Sequence, residues 1–209
     1  MIDVAYFEPR DTEAARVLGA LSAGFRAITG RECQARLLPH LDDRARARIL
    51  ELDDEVFGNK RDVFDAATLD EMEADPDALL LVIEIEGTIE ACVFGYYEEP
   101  RGQIVEDTDF FIDSAMVSRA WQHRGIGELG GAAILLLLEI AEDVDDVGVA
   151  VWSDGDVEQL VSLYRRLGFV DASGRDMPHR CMRVALDDDL TATMRNLLGL
   201  PAPVPQPSR

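Results

Sequence analysis

The chain has 209 residues, enough for one sizeable domain or one domain with an extension, and its 47% hydrophobic content is that of a globular protein. Acidic residues outnumber basic ones by 41 to 20, for a net charge of −21, so the surface repels nucleic-acid phosphates rather than binding them. No apolar run reaches membrane-span length, and the N-terminus carries acid by Asp3 with no basic-then-apolar leader, so a cytoplasmic protein with no membrane partner is expected.

In chain order, Ile2 to Phe7 reads as a short strand. Asp11-Thr12-Glu13 opens a helix whose apolar positions Ala15, Val17, Leu18, Leu21 and Phe25 recur at helical spacing and end near Gly30. Cys33 to Leu38 reads as the first core strand, and Asp42-Asp43 cap a helix running to about Phe57. Asn59 to Ala67 is a loop; Thr68 starts a short helix that Asp75-Pro76 ends. Leu79–Ile85 and Thr88–Tyr97 form a hairpin turned by Glu86-Gly87.

The fourth strand, Asp107 or Thr108 to Val117, alternates. Asp109, Phe111, Asp113, Ala115 and Val117 are expected on one face, and Phe110, Ile112, Ser114 and Met116 on the other. Glu128 to Glu142 is a helix, apolar nearly all round from Ala132 to Leu138, as suits packing on a sheet. Val147 to Trp152 is the fifth strand and Ser153 to Asp156 its loop. A helix from Val157 to Leu167 follows, closed by Gly168. Phe169–Ala172 and Cys181–Leu186 are the last strands, Leu190–Leu198 a final helix, and the proline-rich end from Pro201 a tail without a packed core. Cys33, Cys92 and Cys181 are widely spaced, without metal-ligand spacing, and read as reduced thiols.

The stretch Gln122-His123-Arg124-Gly125-Ile126-Gly127 links the fourth strand to the helix after it. A strand, a glycine turn and a helix start make an anion cradle, since backbone N–H groups converge on one concavity and the helix N-terminus adds partial positive charge. Further on stands Leu163-Tyr164-Arg165-Arg166-Leu167-Gly168-Phe169. Together the two stretches resemble the GNAT superfamily of acetyl-coenzyme-A-dependent N-acetyltransferases. They match its Q/R-x-x-G-x-G/A and L-Y-x-x-L-G-F patterns, in the family's order, over roughly residues 33–186.

The resemblance implies an α/β fold: a mixed, mostly antiparallel twisted sheet, helices on both faces, and a V-shaped splay between the fourth and fifth core strands. It divides the chain into a 1–32 extension, a 33–186 acetyltransferase domain, and a 187–209 helix and tail. The extension either covers the core or contacts a second copy of the chain in a homodimer. The resemblance also implies acetyl-coenzyme A as donor and an amine as acceptor, with no metal. Met116 and Val117 would contact the pantetheine arm by backbone. Gln122, His123, Arg124, Gly125, Ile126 and Gly127 would hold the pyrophosphate. Tyr164 would protonate the leaving thiolate, and Asp113 or Asp109 would take the amine proton. Where many members have Asn, seven residues before the tyrosine, this chain has Val157, so any contact made by that amide is missing or is replaced by Ser153 or Asp156. The acceptor stays open. Asp62, Asp65, Glu98, Glu99, Asp109 and Asp113 would favour a cationic small-molecule amine, although acid is spread over the whole sequence. A peptide terminus, a larger acyl group and a non-catalytic coenzyme-A-binding module are the other readings.

Overall fold

A computed structural model describes residues 11–58, 65–75, 78–97, 103–141, 144–152, 157–174 and 179–202. The expected strand at residues 2–7, most of the proline-rich tail, and Asp62, Glu98, Glu99, Ser153 and Asp156 lie outside the described residues.

The elements are α1 (Asp11–Thr29), β1 (Cys33–Leu37), α2 (Asp43–Val56), α3 (Ala66–Ala74), β2 (Ala78–Ile85), β3 (Thr88–Tyr97), β4 (Phe110–Val117), α4 (Ile126–Ala141), β5 (Asp146–Trp152), α5 (Val157–Arg166), β6 (Val170–Asp171), β7 (His179–Ala185) and α6 (Asp188–Leu197). The strands form one sheet in the order β1-β2-β3-β4-β5-β7-β6. Every neighbouring pair is antiparallel except β4 and β5. That parallel pair is joined by α4, as a parallel crossover requires.

Helices cover both faces. α1, α4, α5 and α6 share one apolar cluster with Ile83, Val93, Ile112 and Val149 of the sheet; α2 and α3 share another with Val82, Cys92, Phe94 and Met116. α1 ends where Gly30 adopts φ 69°, and Glu86 (φ 51°) with Gly87 (φ 78°) turns the β2–β3 hairpin. Two positive φ values in a two-residue loop match the right-handed twist of the strands. α3 starts two residues before Thr68. The carboxylate of Asp65 accepts from the Thr68 N–H at 2.8 Å and from its hydroxyl at 3.0 Å, which makes Asp65 the cap.

The extension is fastened to the chain's other end. Arg195 on α6 is only 4% exposed; it ion-pairs with Glu13 on α1 and donates to the Pro201 carbonyl.

The alternation expected along β4 is not continuous. Phe94 pairs with Ser114 and Gly95 with Ile112, which inserts Asp113 as the extra residue of a bulge. Ala115 and Val117 therefore share a face with Phe110 and Ile112, and Ser114 and Met116 lie on the α2–α3 face with Phe111. Gly95 makes the shift possible, because a Cβ there would stand 2.4 Å from the Phe110 ring and 2.5 Å from the Phe111 carbonyl oxygen.

Candidate active site

β4 and β5 run together for only three pairs, Phe110↔Val147, Phe111↔Gly148 and Ile112↔Val149. Beyond Ile112 the bulge turns β4 away and the strands part. A cleft of about 520 Å³ opens there, and its walls come from both faces of the sheet. Val56, Phe57, Cys92 and Met116 line it on the α2 side; Ile126, Ile134, Leu163 and Tyr164 line it on the α4–α5 side.

The backbone of β4 gives the cleft a polar edge. Met116 lies opposite Cys92, and the Ser118 N–H bonds the Glu90 carbonyl two residues on. In an antiparallel ladder this spacing turns the backbone groups of Met116 toward β3 and those of Ala115 and Val117 toward the opening. The Gln122 side chain already donates to the Val117 carbonyl at 2.8 Å and ties the following turn to the strand. Of the two residues expected to make backbone contacts, Val117 thus faces the cleft; Met116 contributes its side chain to the wall. Ala115 is the facing residue that unbroken alternation hides.

Residues 118–125 form the turn into α4 and contain no acidic residue. Gly125, at φ 84°, sits in the left-handed region with open space where a Cβ would stand. Gly127 has a different reason: its Cβ would lie 3.3 Å from Leu163, so its absence lets α5 pack closely. The first N–H groups of α4, from Ile126 onward, have no intrahelical acceptors and face the end of the cleft. The Nδ1 of His123 (φ 59°) lies 2.7 Å from the side-chain amide nitrogen of Gln159, which ties the turn to α5. The Arg124 guanidinium stacks over Trp121 at 5.1 Å, with Arg31 at 5.5 Å from the same ring. Among the described residues neither Arg119 nor Arg124 is ion-paired. The Glu55 carboxylate reaches the same turn and accepts from the Arg119 N–H at 2.6 Å.

Tyr164 reaches the cleft from α5, half-buried and edge-on to Phe169 at 5.3 Å. Burial pushes its phenol up to about 12, so the hydroxyl stays protonated through the neutral range. Asp113 is exposed at the bulge and lines the cleft. Asp109 does not line it. Its carboxylate accepts from the N–H groups of Asp145 and Asp146 at 2.8 and 3.0 Å, where it anchors the start of β5 beside β4.

Cys92 is a wall residue that sequence spacing did not suggest. It is 1% exposed, and burial, with the Asp53 carboxylate nearby, pushes its thiol up to about 12. A protonated thiol is a poor nucleophile. The Ser114 hydroxyl, also in a wall residue, is buried without a hydrogen-bond partner. His40 lies away from the cleft, 3.7 Å from Glu73. Among the described residues no cluster of three His, Cys, Asp or Glu is arranged to hold a metal ion, and no helix is long and apolar enough to cross a membrane.

The fold as a whole recurs in solved structures. An acetyltransferase of the GNAT family from Staphylococcus aureus superposes with a TM-score of 0.58 at 11% identity, over 73% of this chain and 99% of that one. The ribosomal-protein-S18-alanine N-acetyltransferase from Escherichia coli gives 0.56 at 13% identity, over 74% and 95%. PaiA N-acetyltransferase from Thermoplasma acidophilum, solved in complex with coenzyme A, gives 0.53 at 12% identity, over 73% and 99%. The chain has the GNAT fold. No protein-family model and no curated protein matches the sequence. The matches leave about a quarter of the chain uncovered, and α1 and α6 both pack against α4.

Proposed function

We propose that the chain is a GNAT-type acyltransferase that moves the acyl group of acetyl-coenzyme A or a close analogue to a primary amine by direct attack. The observation that carries this reading is the cleft where β4 leaves β5, with the acid-free turn 118–125 at one end and Tyr164 in its wall.

In this reading the N–H groups from Gly125 onward, with Arg124 and His123, hold the pyrophosphate. Ala115 and Val117 offer backbone groups to the pantetheine arm as a neighbouring strand would. The neutral amine attacks the thioester carbon and gives a proton to Asp113, directly or through water. As the tetrahedral intermediate collapses, the C–S bond breaks and the thiolate takes the Tyr164 proton. Products are the amide and free thiol, and solvent returns the proton from Asp113 to Tyr164. Asp109 acts as a positioning residue, since its carboxylate holds β5 against the base of β4. The protonated Cys92 thiol supports attack without a covalent enzyme intermediate. The acidic surface favours a cationic small-molecule acceptor over a neutral one.

The test is thiol release from acetyl-coenzyme A across a panel of amines. Amine-dependent release that Cys92→Ala retains and Tyr164→Phe lowers supports the proposal. Donor binding with no turnover on any amine leaves a non-catalytic coenzyme-A-binding module instead.

A further inference from the structure

α4 carries three glycines near its start, and they do different things. Gly127 and Gly131, one turn apart, receive Leu163 of α5 and Leu167 just past its end; a Cβ on Gly131 would stand 2.3 Å from Leu167. Gly130 lies on another side. It is buried, it lines the cleft, and a Cβ built on it would meet nothing within 4 Å. A buried helical position normally faces packed atoms. Gly130 faces space, between Ile126 one turn before it and Ile134 one turn after. Packing does not require glycine there, and glycine weakens a helix interior relative to alanine.

Apolar residues line the same cleft: Ile112 and Val149, the last pair before β4 and β5 part, with Val93 and Phe25. The notch therefore opens into the same cleft that Ala115 and Val117 of β4 line. The residues one turn to either side of Gly130 on this helix, Ile126 and Ile134, are apolar.

We infer that the Gly130 notch receives the acyl chain of the donor, and that it fits an uncharged propionyl or butyryl group better than acetyl. This rests on the proposed acyl-coenzyme-A reading and adds the donor class to it. A terminal carboxylate, as in succinyl-coenzyme A, would be stripped of water against isoleucine and valine and should be disfavoured. Each methylene that enters an apolar pocket improves affinity several-fold.

Calorimetric titration tests this without an identified acceptor. Wild-type protein, Gly130→Ala and Gly130→Val are each titrated with free coenzyme A and with its acetyl, butyryl and succinyl thioesters. Wild type is expected to bind butyryl-coenzyme A about tenfold more tightly than acetyl-coenzyme A, and succinyl-coenzyme A no better than acetyl. Gly130→Val should abolish the butyryl advantage, and Gly130→Ala reduce it, while free coenzyme A binds all three alike. Thermal melts should show Gly130→Ala at least as stable as wild type, because alanine favours the helix. Equal affinities of wild type for acetyl and butyryl donors would overturn the inference and leave the acyltransferase reading intact. So would an equal loss of all four ligands in Gly130→Val, which would place the pantetheine arm in the notch. No binding of any coenzyme A species to wild type would overturn both.

Discussion

Desolvation raises the pKa of two groups in the cleft wall, Tyr164 and Cys92, and the shifts run the same way. Each native group keeps its proton to about 12, above the pH at which the unfolded chain would release it. The resulting stability is fully present below the unfolded values and is lost as pH rises through the folded ones. Denaturant melts should therefore hold steady from neutrality to about pH 9 and weaken toward pH 11, with a shallower fall in Cys92→Ala. An unchanged slope in that variant would contradict the burial of the thiol. Tyr164→Phe keeps the ring against Phe169 and removes the proton. Its kcat is expected to fall by roughly 10²-fold with donor affinity unchanged. Because the wild-type phenol is protonated throughout, no alkaline loss of kcat below about pH 10 should trace to Tyr164. If kcat is unchanged in Tyr164→Phe while chemistry limits the rate, the residue leaves the mechanism.

At the level of elements, the cleft depends on where β4 and β5 stay together and where they part. Asp109 fixes the first: its two bonds to the Asp145 and Asp146 N–H groups hold β5 in register. Asp109→Ala strands both donors and should cost about 2 kcal/mol of stability, read by denaturant midpoint, while Asp109→Asn keeps one acceptor and should cost less. Glu13→Ala would leave Arg195 buried without its carboxylate and should cost about 3 kcal/mol, because α1 and α6 are joined through that pair.

Much of this layout is readable in the chain. The hairpin follows from Glu86-Gly87 between two β-branched runs, and the α2 cap from Asp42. The turn 122–127 follows from its glycines, and Tyr164 from the stretch around it. The bulge is not readable, because Phe-Phe-Ile-Asp-Ser-Ala-Met-Val looks like an unbroken alternation. The shift is imposed from β3, where Gly95 lets β4 press in, and that is a pairing between distant segments. The same blindness hid Ala115 and Cys92 and left Asp109 beside Asp113 as a candidate base. The notch at Gly130 was equally invisible. Neighbouring glycines in a helix look alike until Leu163 and Leu167 are seen to fill the space beside Gly127 and Gly131 only.

At the scale of the molecule, charge dominates. A net −21 spread over one chain gives a field that draws cations, and the turn 118–125 contains two arginines and no acidic residue. If the acceptor is a cationic amine, its kcat/KM should fall steeply between low and physiological salt, and a neutral amine should change little. A flat response for the best amine would assign the surface acid to solvation alone. The central claim, that the turn after β4 cradles the phosphates of an acyl-coenzyme A, has a more direct test. Gly125 faces open space at φ 84°, so Gly125→Asp puts a carboxylate at the cradle without crowding the core. Calorimetric titration with acetyl-coenzyme A should give one site per chain in the wild type and at least a tenfold weaker site in the variant. No binding to wild type, or equal affinity in the two proteins, would contradict it.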